Sequence, residues 1–114
     1  MKRGEVWWIN FDPSVGGEIR KKRPAVIVSN DAANQFLNRV QIVPLTSRVG
    51  KLYPIETYVD FRGKKAKAMA DQLTTVSKSR LINKAGTVPK RALTGVEQAI
   101  IVQLDLYPEP LTQA

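Results

Sequence analysis

The strongest candidate for chemistry in this chain is an arginine at the root of an apolar strand. Arg20 to Arg23 are four consecutive basic residues, and after Pro24 the chain continues as the apolar strand Ala25–Ser29. Because that strand must enter the core, the Cα of Arg23 is held at its edge. A guanidinium held in this way can bind two oxygens of a phosphate at once. The alternative is an exposed basic loop that serves only solubility.

Other polar side chains follow predicted strands, at points where they can meet this arginine. Two hydroxyls and a second arginine end one strand, a carboxylate and an amide end another, and one glutamate lies in a glycine-containing loop. In chain order these residues are Glu18, Thr46, Ser47, Arg48, Asp71 and Gln72. A cation, a hydroxyl and a carboxylate in one groove would hold a phosphodiester and move protons around it. Each also has an ordinary role, since hydroxyls can end a strand by turning its backbone and Asp71 can cap the segment that follows.

The composition narrows the chemistry that these residues can do. The chain of 114 residues has 25% charged and 43% hydrophobic residues, which is typical of one folded domain. It contains no cysteine and no histidine, which excludes disulfides, thiolate metal sites and, as they are usually built, serine triads and zinc hydrolases. The lack of cysteine suits a cytoplasmic protein. No apolar run is long enough to span a membrane, and the charged N-terminus does not read as a signal peptide.

The net charge of +8 is concentrated in the first two thirds of the chain. Residues 1–67 carry 13 lysines and arginines against 6 aspartates and glutamates, whereas residues 68–114 carry 5 against 4. A one-sided excess of this kind indicates a polyanionic partner, such as nucleic acid or an acidic protein segment. A weakly specific solvated surface is the alternative. The four bases between Arg62 and Lys67 are interpreted as a solvated turn that adds long-range attraction.

Hydrophobic periodicity predicts a β-rich fold that ends in a helix. Alternating apolar residues between turn signals indicate six short strands. The predicted strands are residues 5–11, 24–30, 40–46, 55–61, 66–72 and 86–88. One or two helical turns capped by Asp31 follow the second strand, and a C-terminal helix runs from Pro89 to about Leu106, where Pro108 ends the pattern. The apolar face of this helix consists of Leu93, Val96, Ile100 and Leu104. A capping-box pattern at residues 94–97 leaves its start uncertain by one turn.

These elements describe a small curled sheet or barrel of five or six strands, with the helix on one side. No repeat, low-complexity tract or internal linker interrupts them, so residues 1–114 are predicted to form a single domain. Trp7 and Trp8 fall on opposite faces of the first strand. We therefore assign one of them to the core and the other to an interface.

Six motifs, in the same order along the chain, resemble the MazF/Kid/PemK-type toxins of bacterial type II toxin–antitoxin systems. The similarity covers nearly the whole chain, and six motifs in register are far more specific than any one of them. They are Lys2–Trp7 with Phe11–Pro13, Gly16–Glu18, Arg23–Ser29, Pro44–Ser47, Ala70–Gln72 with Val76 and Arg80–Leu81, and Gly86–Val88 before the last helix. The glycine loop differs in detail, because Gly16-Gly17-Glu18 stands where Gly-Ser-Glu is more usual.

The resemblance implies a mainly β fold, a small SH3-like barrel of five to seven short strands with a terminal α-helix, that forms a homodimer. It also implies a sequence-specific endoribonuclease that cleaves single-stranded mRNA in the bacterial cytoplasm. In this family the 2′-hydroxyl of the RNA attacks the phosphate, which leaves a 2′,3′-cyclic phosphate and a 5′-hydroxyl and requires no metal or other cofactor. A held arginine can support that chemistry in a chain without histidine.

The resemblance assigns catalytic roles to two residues. Arg23 matches the catalytic arginine of the family, and Thr46 matches its catalytic threonine. We therefore expect Arg23 to stabilise the charge that develops on the phosphate and Thr46 to orient the phosphate or the 2′-hydroxyl. Arginine is a poor base near neutral pH, so Glu18 and Asp71 are the candidates for general acid–base catalysis.

Base recognition is assigned by the same resemblance to the surrounding loops. The positions that match RNA-contacting segments are Gly17, Ser47, Arg48, Tyr53, Pro54 and Gln72. Tyr53 can stack on a base for about 1–3 kcal/mol, and Gln72 can read a base edge. The same basic surface would bind a cognate antitoxin whose acidic, disordered C-terminal segment folds onto it.

Two other functions stay open at the level of sequence. One is a toxin of the same barrel type that poisons a DNA topoisomerase and cuts no RNA, because fold alone does not separate these activities. The other is a basic RNA-binding module without catalysis. The presence of both Arg23 and Thr46 in matching motifs favours RNA cleavage.

Overall fold

A curled antiparallel sheet of seven strands forms most of the described structure. The computed structural model describes residues 1–12 and 21–106. The strands are β1 (Glu5–Asn10), β2 (Lys22–Ile27), β3 (Arg39–Thr46), β4 (Glu56–Phe61), β5 (Lys64–Met69), β6 (Thr74–Ser77) and β7 (Leu81–Thr87). The helices are α1 (Asp31–Phe36) and α2 (Lys90–Leu104), with 3₁₀ turns at Ala70–Gln72 and Lys78–Arg80. The predicted fold class, mainly β with a C-terminal helix, is confirmed.

The sheet curls into half of a barrel because β3 has two successive neighbours along one of its edges. The strand order is β4-β5-β3-β2-β1-β7, and β6 also pairs with β3. The first part of β3, from Arg39 to Ile42, pairs with β6, whereas Leu45 and Thr46 at its end pair with β5. The two halves of the sheet therefore meet at the end of β3, next to Thr46.

Both faces of the central strands are buried. One cluster contains Val6, Val26, Val43, Leu45, Val59, Ala66, Ala68, Val88 and Val96. The second contains Ile9, Ala25, Ile27, Val40, Ile42 and Val76. In β2, Val26 belongs to the first cluster while Ala25 and Ile27 belong to the second. Burial on both faces explains why apolar residues follow one another without interruption in the sequence of this strand.

The C-terminal helix covers the first cluster and approaches β4 closely. A Cβ atom added at Gly95 would lie 2.8 Å from Oγ1 of Thr57, so glycine lets the helix backbone come near the strand. The predicted apolar face is confirmed for Leu93, Val96 and Ile100, which belong to the first cluster or pack against it. Leu104 is 50% exposed, because the last turn of the helix extends past the cluster.

The strand predictions were wrong mainly at the edges of the sheet. The four-residue β6 was not predicted, because only Val76 in it is buried. The last strand is longer than the predicted residues 86–88, since β7 begins at Leu81. It ends the strand order and exposes Ile82, Asn83 and Lys84, so its sequence lacks a regular alternation. The fifth strand ends at Met69, not Gln72.

The helix starts also differ in detail from the predictions. Asn30, not Asp31, caps α1, because its Oδ1 accepts the N–H of Ala33 at 2.8 Å. Oδ1 of Asp31 instead accepts the N–H of Arg3 at 2.7 Å. Asparagine and aspartate are about equally good N-caps, so the sequence did not distinguish them.

The capping-box pattern at residues 94–97 does not start α2. Pro89 directly precedes the helix, and Oγ1 of Thr94 donates to the carbonyl of Lys90 at 3.1 Å within it. The helix ends before Asp105, which has a left-handed φ of 56°. Pro108, predicted to end the pattern, lies outside the described residues. Neither helix of the described ranges has the length and apolar character needed to cross a membrane.

The ionised side chain of Glu5 connects the start of β1 to the edge strand β7 through an ion pair. Its carboxylate accepts the N–H of Lys2 at 3.0 Å and the indole N–H of Trp7 at 2.9 Å, and it lies 3.2 Å from Nζ of Lys84. Burial by itself would raise the pKa of Glu5. These three donors outweigh that effect and lower its pKa from 4.5 to about 2.

We expect the contribution of Glu5 to stability to be lost in acid. A carboxylate whose folded pKa is depressed stabilises the protein fully above its unfolded pKa of 4.5, and the contribution falls as the pH drops to about 2. Urea unfolding of the parent and Glu5→Gln, measured between about pH 7 and pH 2, should give a free-energy difference that shrinks across this range. A difference that does not change with pH would contradict the prediction.

Candidate active site

β1 and the residues after it hold Arg23 at one end of the sheet. Arg23 is the second residue of β2 and lies opposite Ile9 in the antiparallel ladder. The chain enters β2 through Lys21, which has a left-handed φ of 65°. The N–H of Lys21 donates to Oδ1 of Asp12 at 2.8 Å, and its carbonyl accepts the N–H of Phe11 at 2.8 Å. These contacts fix the backbone immediately before Arg23.

The guanidinium of Arg23 has a buried donor without a partner. Its Nε is shielded from solvent and makes no hydrogen bond within the described part of the chain. A buried donor left unpaired costs about 1–3 kcal/mol, and more when the group is charged. An oxygen of a bound anion would satisfy this donor, which makes the position of Arg23 suited to phosphate.

Thr46 ends β3 at the same end of the sheet as Arg23. The β2–β3 ladder stops at Ala25 and Pro44, so Arg23 and Thr46 each lie two residues beyond its last pair. Thr46 is 9% exposed, and its Oγ1 accepts the N–H of Arg48 at 3.2 Å. Because Oγ1 acts there as the acceptor, its hydroxyl proton remains available to donate to an anion.

Arg23 and Thr46 line a basic cavity of about 480 Å³. Ser47 shares this cavity, and two aromatic side chains contribute to its wall. Its described lining comprises Trp8, Lys22, Arg23, Pro24, Leu45, Thr46, Ser47, Phe61, Arg62, Lys64, Lys65 and Ala66. Five of these residues are basic, and none is acidic. The cavity therefore attracts anions and offers flat rings against which a base can stack.

A tight hairpin turn brings three of these bases to the cavity. Arg62 and Gly63 join β4 to β5 and both have positive φ, 53° and 74°. Two left-handed residues in succession form the hairpin turn that matches the twist of paired strands. The turn places Arg62, Lys64 and Lys65 in the cavity lining. The prediction of a solvated basic turn is confirmed for Arg62, Lys64 and Lys65, which are exposed, whereas Lys67 is buried.

Asp71 and Gln72 lie in a separate cavity of about 420 Å³. Its lining includes Pro44, which is two residues before Thr46 on β3, and Arg80. Nη1 of Arg80 donates to the carbonyls of Asn10 and Asp12 at 2.9 and 2.8 Å, so it also fixes the chain after β1. Among the described residues the two cavities share no lining side chain. The structure thus brings Arg23 and Thr46 into one cavity and places Asp71 and Gln72 in another.

The remaining predicted recognition residues fall on the exposed loop after β3. Ser47 and Arg48 begin this loop, and Tyr53 and Pro54 near its end are exposed. Arg48, Tyr53 and Pro54 do not contribute to the described lining of either cavity. Gly17 and Glu18 lie outside the described residues.

Sequence reasoning missed several residues of the two cavities. Lys22 and Trp8 were not assigned to the site. The position of Lys22 next to Arg23, and that of Trp8 on the first strand, could have indicated that they belong to it. Phe11 and Arg80 line the second cavity and were likewise not predicted as site residues. In the described part of the chain, no three carboxylates come close enough together to hold a metal ion.

Comparison with known proteins supports the resemblance to this toxin family over nearly the whole chain. The sequence profile of the PemK-like, MazF-like toxins of type II toxin–antitoxin systems matches residues 2–104. The endoribonuclease MazF9 of Mycobacterium tuberculosis is 34% identical over 116 residues, which cover 94% of this chain and 98% of the relative.

Solved structures of related proteins share the fold. MazF of Deinococcus radiodurans superposes with a TM-score of 0.83 at 28% identity, covering 93% of this chain and 97% of the other. A MazE–MazF structure from the same organism gives a TM-score of 0.75 at 25% identity, covering 94% and 97%. The resemblance drawn from the six sequence motifs is thus confirmed, and the chain belongs to the family of PemK-like, MazF-like toxins of type II toxin–antitoxin systems.

Proposed function

We propose that the protein is an endoribonuclease toxin that cleaves single-stranded mRNA at a specific sequence, without a metal, in the bacterial cytoplasm. The observation that carries the proposal is the buried Nε of Arg23, which has no hydrogen-bond partner among the described residues, in a cavity that Thr46 also lines and that has five bases in its described lining. A relative at 34% identity is named an endoribonuclease. A phosphodiester of RNA fits this site, because it supplies both the anion and an internal nucleophile.

The cleavage that we propose uses the 2′-hydroxyl of the substrate. A bond forms between the 2′-oxygen and phosphorus, and the bond from phosphorus to the 5′-oxygen breaks. The products are a 2′,3′-cyclic phosphate and a 5′-hydroxyl. The guanidinium of Arg23 stabilises the negative charge that grows on the non-bridging oxygens, and the hydroxyl of Thr46 donates to one of them.

Two proton transfers accompany this step. The 2′-hydroxyl gives its proton to a protein group as it attacks, and the 5′-oxygen takes a proton from a water molecule as it leaves. Arginine and threonine are poor bases near neutral pH, so the acceptor is a carboxylate. Asp71 in the neighbouring cavity and Glu18 in the first loop are the candidates. The pH–rate profiles of Asp71→Asn and Glu18→Gln distinguish them, because only the residue that takes the proton must be ionised and so produces the fall in rate at low pH.

A digest of RNA in excess EDTA tests the proposed function. The purified protein should cut at one short recurring sequence and leave cyclic phosphate and 5′-hydroxyl ends, and Arg23→Ala should not. Intact RNA, with a parent protein that is folded and free of bound partner, would contradict the proposal. Cleavage that stops in EDTA would contradict the metal-free mechanism alone.

The binding partners that we propose are a second copy of the chain and an acidic antitoxin segment. Exposed apolar side chains at the end of α2, Val102, Leu104 and Leu106, support association with a second copy. The five bases of the cavity support the acidic segment, and a related toxin has been solved as MazE–MazF.

Both partners can be checked in solution. Light scattering should give the mass of two chains, and a mass of one chain would contradict the dimer. An acidic peptide should inhibit cleavage, and raising the salt from about 50 to 200 mM should weaken that inhibition by roughly 10-fold or more. A neutral peptide of equal length is the control. Equal inhibition by both peptides would contradict the proposed charge complementarity.

A further inference from the structure

The loop that leaves the active site carries exposed groups suited to unpaired RNA. Residues 47–55 connect Thr46, at the basic cavity, to the start of β4. Tyr53 in this loop is 52% exposed, and Nζ of Lys51 lies 5.3 Å from the centroid of its ring. An exposed aromatic ring beside a cation offers a face on which a base can stack while the phosphate is attracted.

An ion pair is among the contacts that tie this loop to the sheet, together with the hydroxyl of Tyr58, which donates to the carbonyl of Gly50 at 3.0 Å, and the N–H of Glu56, which donates to the carbonyl of Tyr53 at 2.9 Å. Nζ of Lys67 on β5 lies 3.1 Å from Oε2 of Glu56 on β4, and each side chain is 11% exposed. Oε1 of Glu56 accepts the N–H of Tyr53 at 2.9 Å. Nζ of Lys67 donates to the carbonyl of Lys51 at 3.2 Å. Each member of the pair therefore holds one residue of the segment that presents Tyr53.

The same lysine is anchored beside the catalytic threonine. Lys67 pairs with Thr46 in the β3–β5 ladder. A shift of either strand would therefore move both the loop and the active site. The ion pair thus connects the place where the phosphate binds with the place where the neighbouring base would stack.

Stability alone does not explain this ion pair. Of the charged side chains in the described ranges, only that of Lys67 falls among the buried residues. Burying two charges requires desolvation, and well-packed apolar side chains in their place often give equal or greater stability. The hydrogen bonds that both partners extend into the loop are what an apolar pair would not supply.

We propose that the Glu56–Lys67 ion pair is a positioning device that holds Tyr53 against the nucleotide next to the scissile phosphate. The inference rests on the proposed ribonuclease function and adds two specificity-determining residues to it. Glu56 and Lys67 act through the loop and do not touch the reacting atoms. Their loss should therefore weaken substrate binding and base discrimination more than the chemical step.

The test is a double variant that replaces the ion pair with apolar side chains, Glu56→Leu/Lys67→Met. Short oligonucleotides that differ only in the bases flanking the cleaved bond are used as substrates. We expect KM for the preferred oligonucleotide to rise about 10-fold, and the preference over the others to fall by a similar factor, with kcat at saturation changed about 3-fold or less. Lys84→Met, which breaks the ion pair with Glu5 on another part of the sheet, is the matched control and should leave both values unchanged.

Tyr53→Ala completes a double-mutant cycle. In the parent it should raise KM by a factor similar to that caused by the double variant. In the double-variant background it should add little, because the side-chain hydrogen bonds from Glu56 and Lys67 that position this segment are then already lost. Independent effects that multiply would contradict the proposed coupling between Tyr53 and the ion pair.

A folded double variant with unchanged KM and unchanged base preference would overturn the inference and leave the ribonuclease function standing. Failure of the parent to cut RNA would overturn both. If the double variant does not fold, Glu56→Gln/Lys67→Gln, which keeps a hydrogen bond between the two side chains, is tested with the same oligonucleotides. The amide hydrogen of Tyr53 should exchange faster in Glu56→Leu/Lys67→Met, which removes its acceptor, and unchanged exchange there would contradict the positioning role.

Discussion

Replacement of Arg23 by alanine is expected to lower the rate of RNA cleavage by about 10²–10³-fold, as is typical when one preorganised charge-stabilising donor is removed. The side chain supplies a permanent cation, and its buried Nε has no partner in the described part of the chain. The backbone of Arg23 is held by its pairing with Ile9, so the fold should survive the substitution. Single-turnover cleavage of one oligonucleotide, compared between parent and variant, measures the effect.

The variant Arg23→Lys distinguishes the effect of the positive charge from that of the guanidinium geometry. Arg23→Lys keeps the positive charge but loses the two-pronged donor and the buried Nε, so it should recover only part of the lost rate. Arg91→Ala is the matched control, because Arg91 is exposed on α2 and lines neither cavity. It should cleave at the parent rate. An Arg23→Ala variant that is folded and cleaves near the parent rate would disprove the catalytic assignment.

Thr46→Val is expected to produce the second large loss. Valine has nearly the same shape as threonine but cannot donate a hydrogen bond, so the buried end of β3 stays packed while the phosphate loses one contact. We expect cleavage to fall by roughly 10²-fold, near the lower end of the range for such donors. The hydroxyl also accepts the N–H of Arg48 at 3.2 Å. Thr46→Val therefore also removes a hydrogen bond that holds the start of the following loop.

Two substitutions control for that structural effect. Thr46→Ser keeps the hydroxyl and should retain most of the activity. Ser47→Ala removes the next hydroxyl along the chain, which lies in the same cavity but is exposed, and it should cost less than Thr46→Val. If Thr46→Ser were as slow as Thr46→Val, the hydroxyl could not be the group that contributes to catalysis.

The sequence by itself determined the β-rich fold with its C-terminal helix, the positions of the central strands and the candidacy of Arg23 and Thr46. These features depend on local signals. A strand buried on both faces shows a continuous apolar run, as in Ala25–Val28, and a polar residue at its end stands out against it. The order of six motifs along the chain then identified the family, because motif order does not depend on knowing the contacts.

Only the tertiary structure decided which polar residues meet. The antiparallel pairing of β2 with β3 brings the ends that carry Arg23 and Thr46 to one cavity, although the two residues are far apart in the sequence. It also assigned Asp71 and Gln72 to a second cavity and brought Arg62, Lys64 and Lys65 into the first. The sequence predicted the exposure of this basic turn but not its place beside Arg23, because charge alone does not reveal what lies across a sheet. The last strand was predicted too short for a related reason, since the exposed residues at the start of β7 carry no alternation and only pairing with β1 makes them part of the strand.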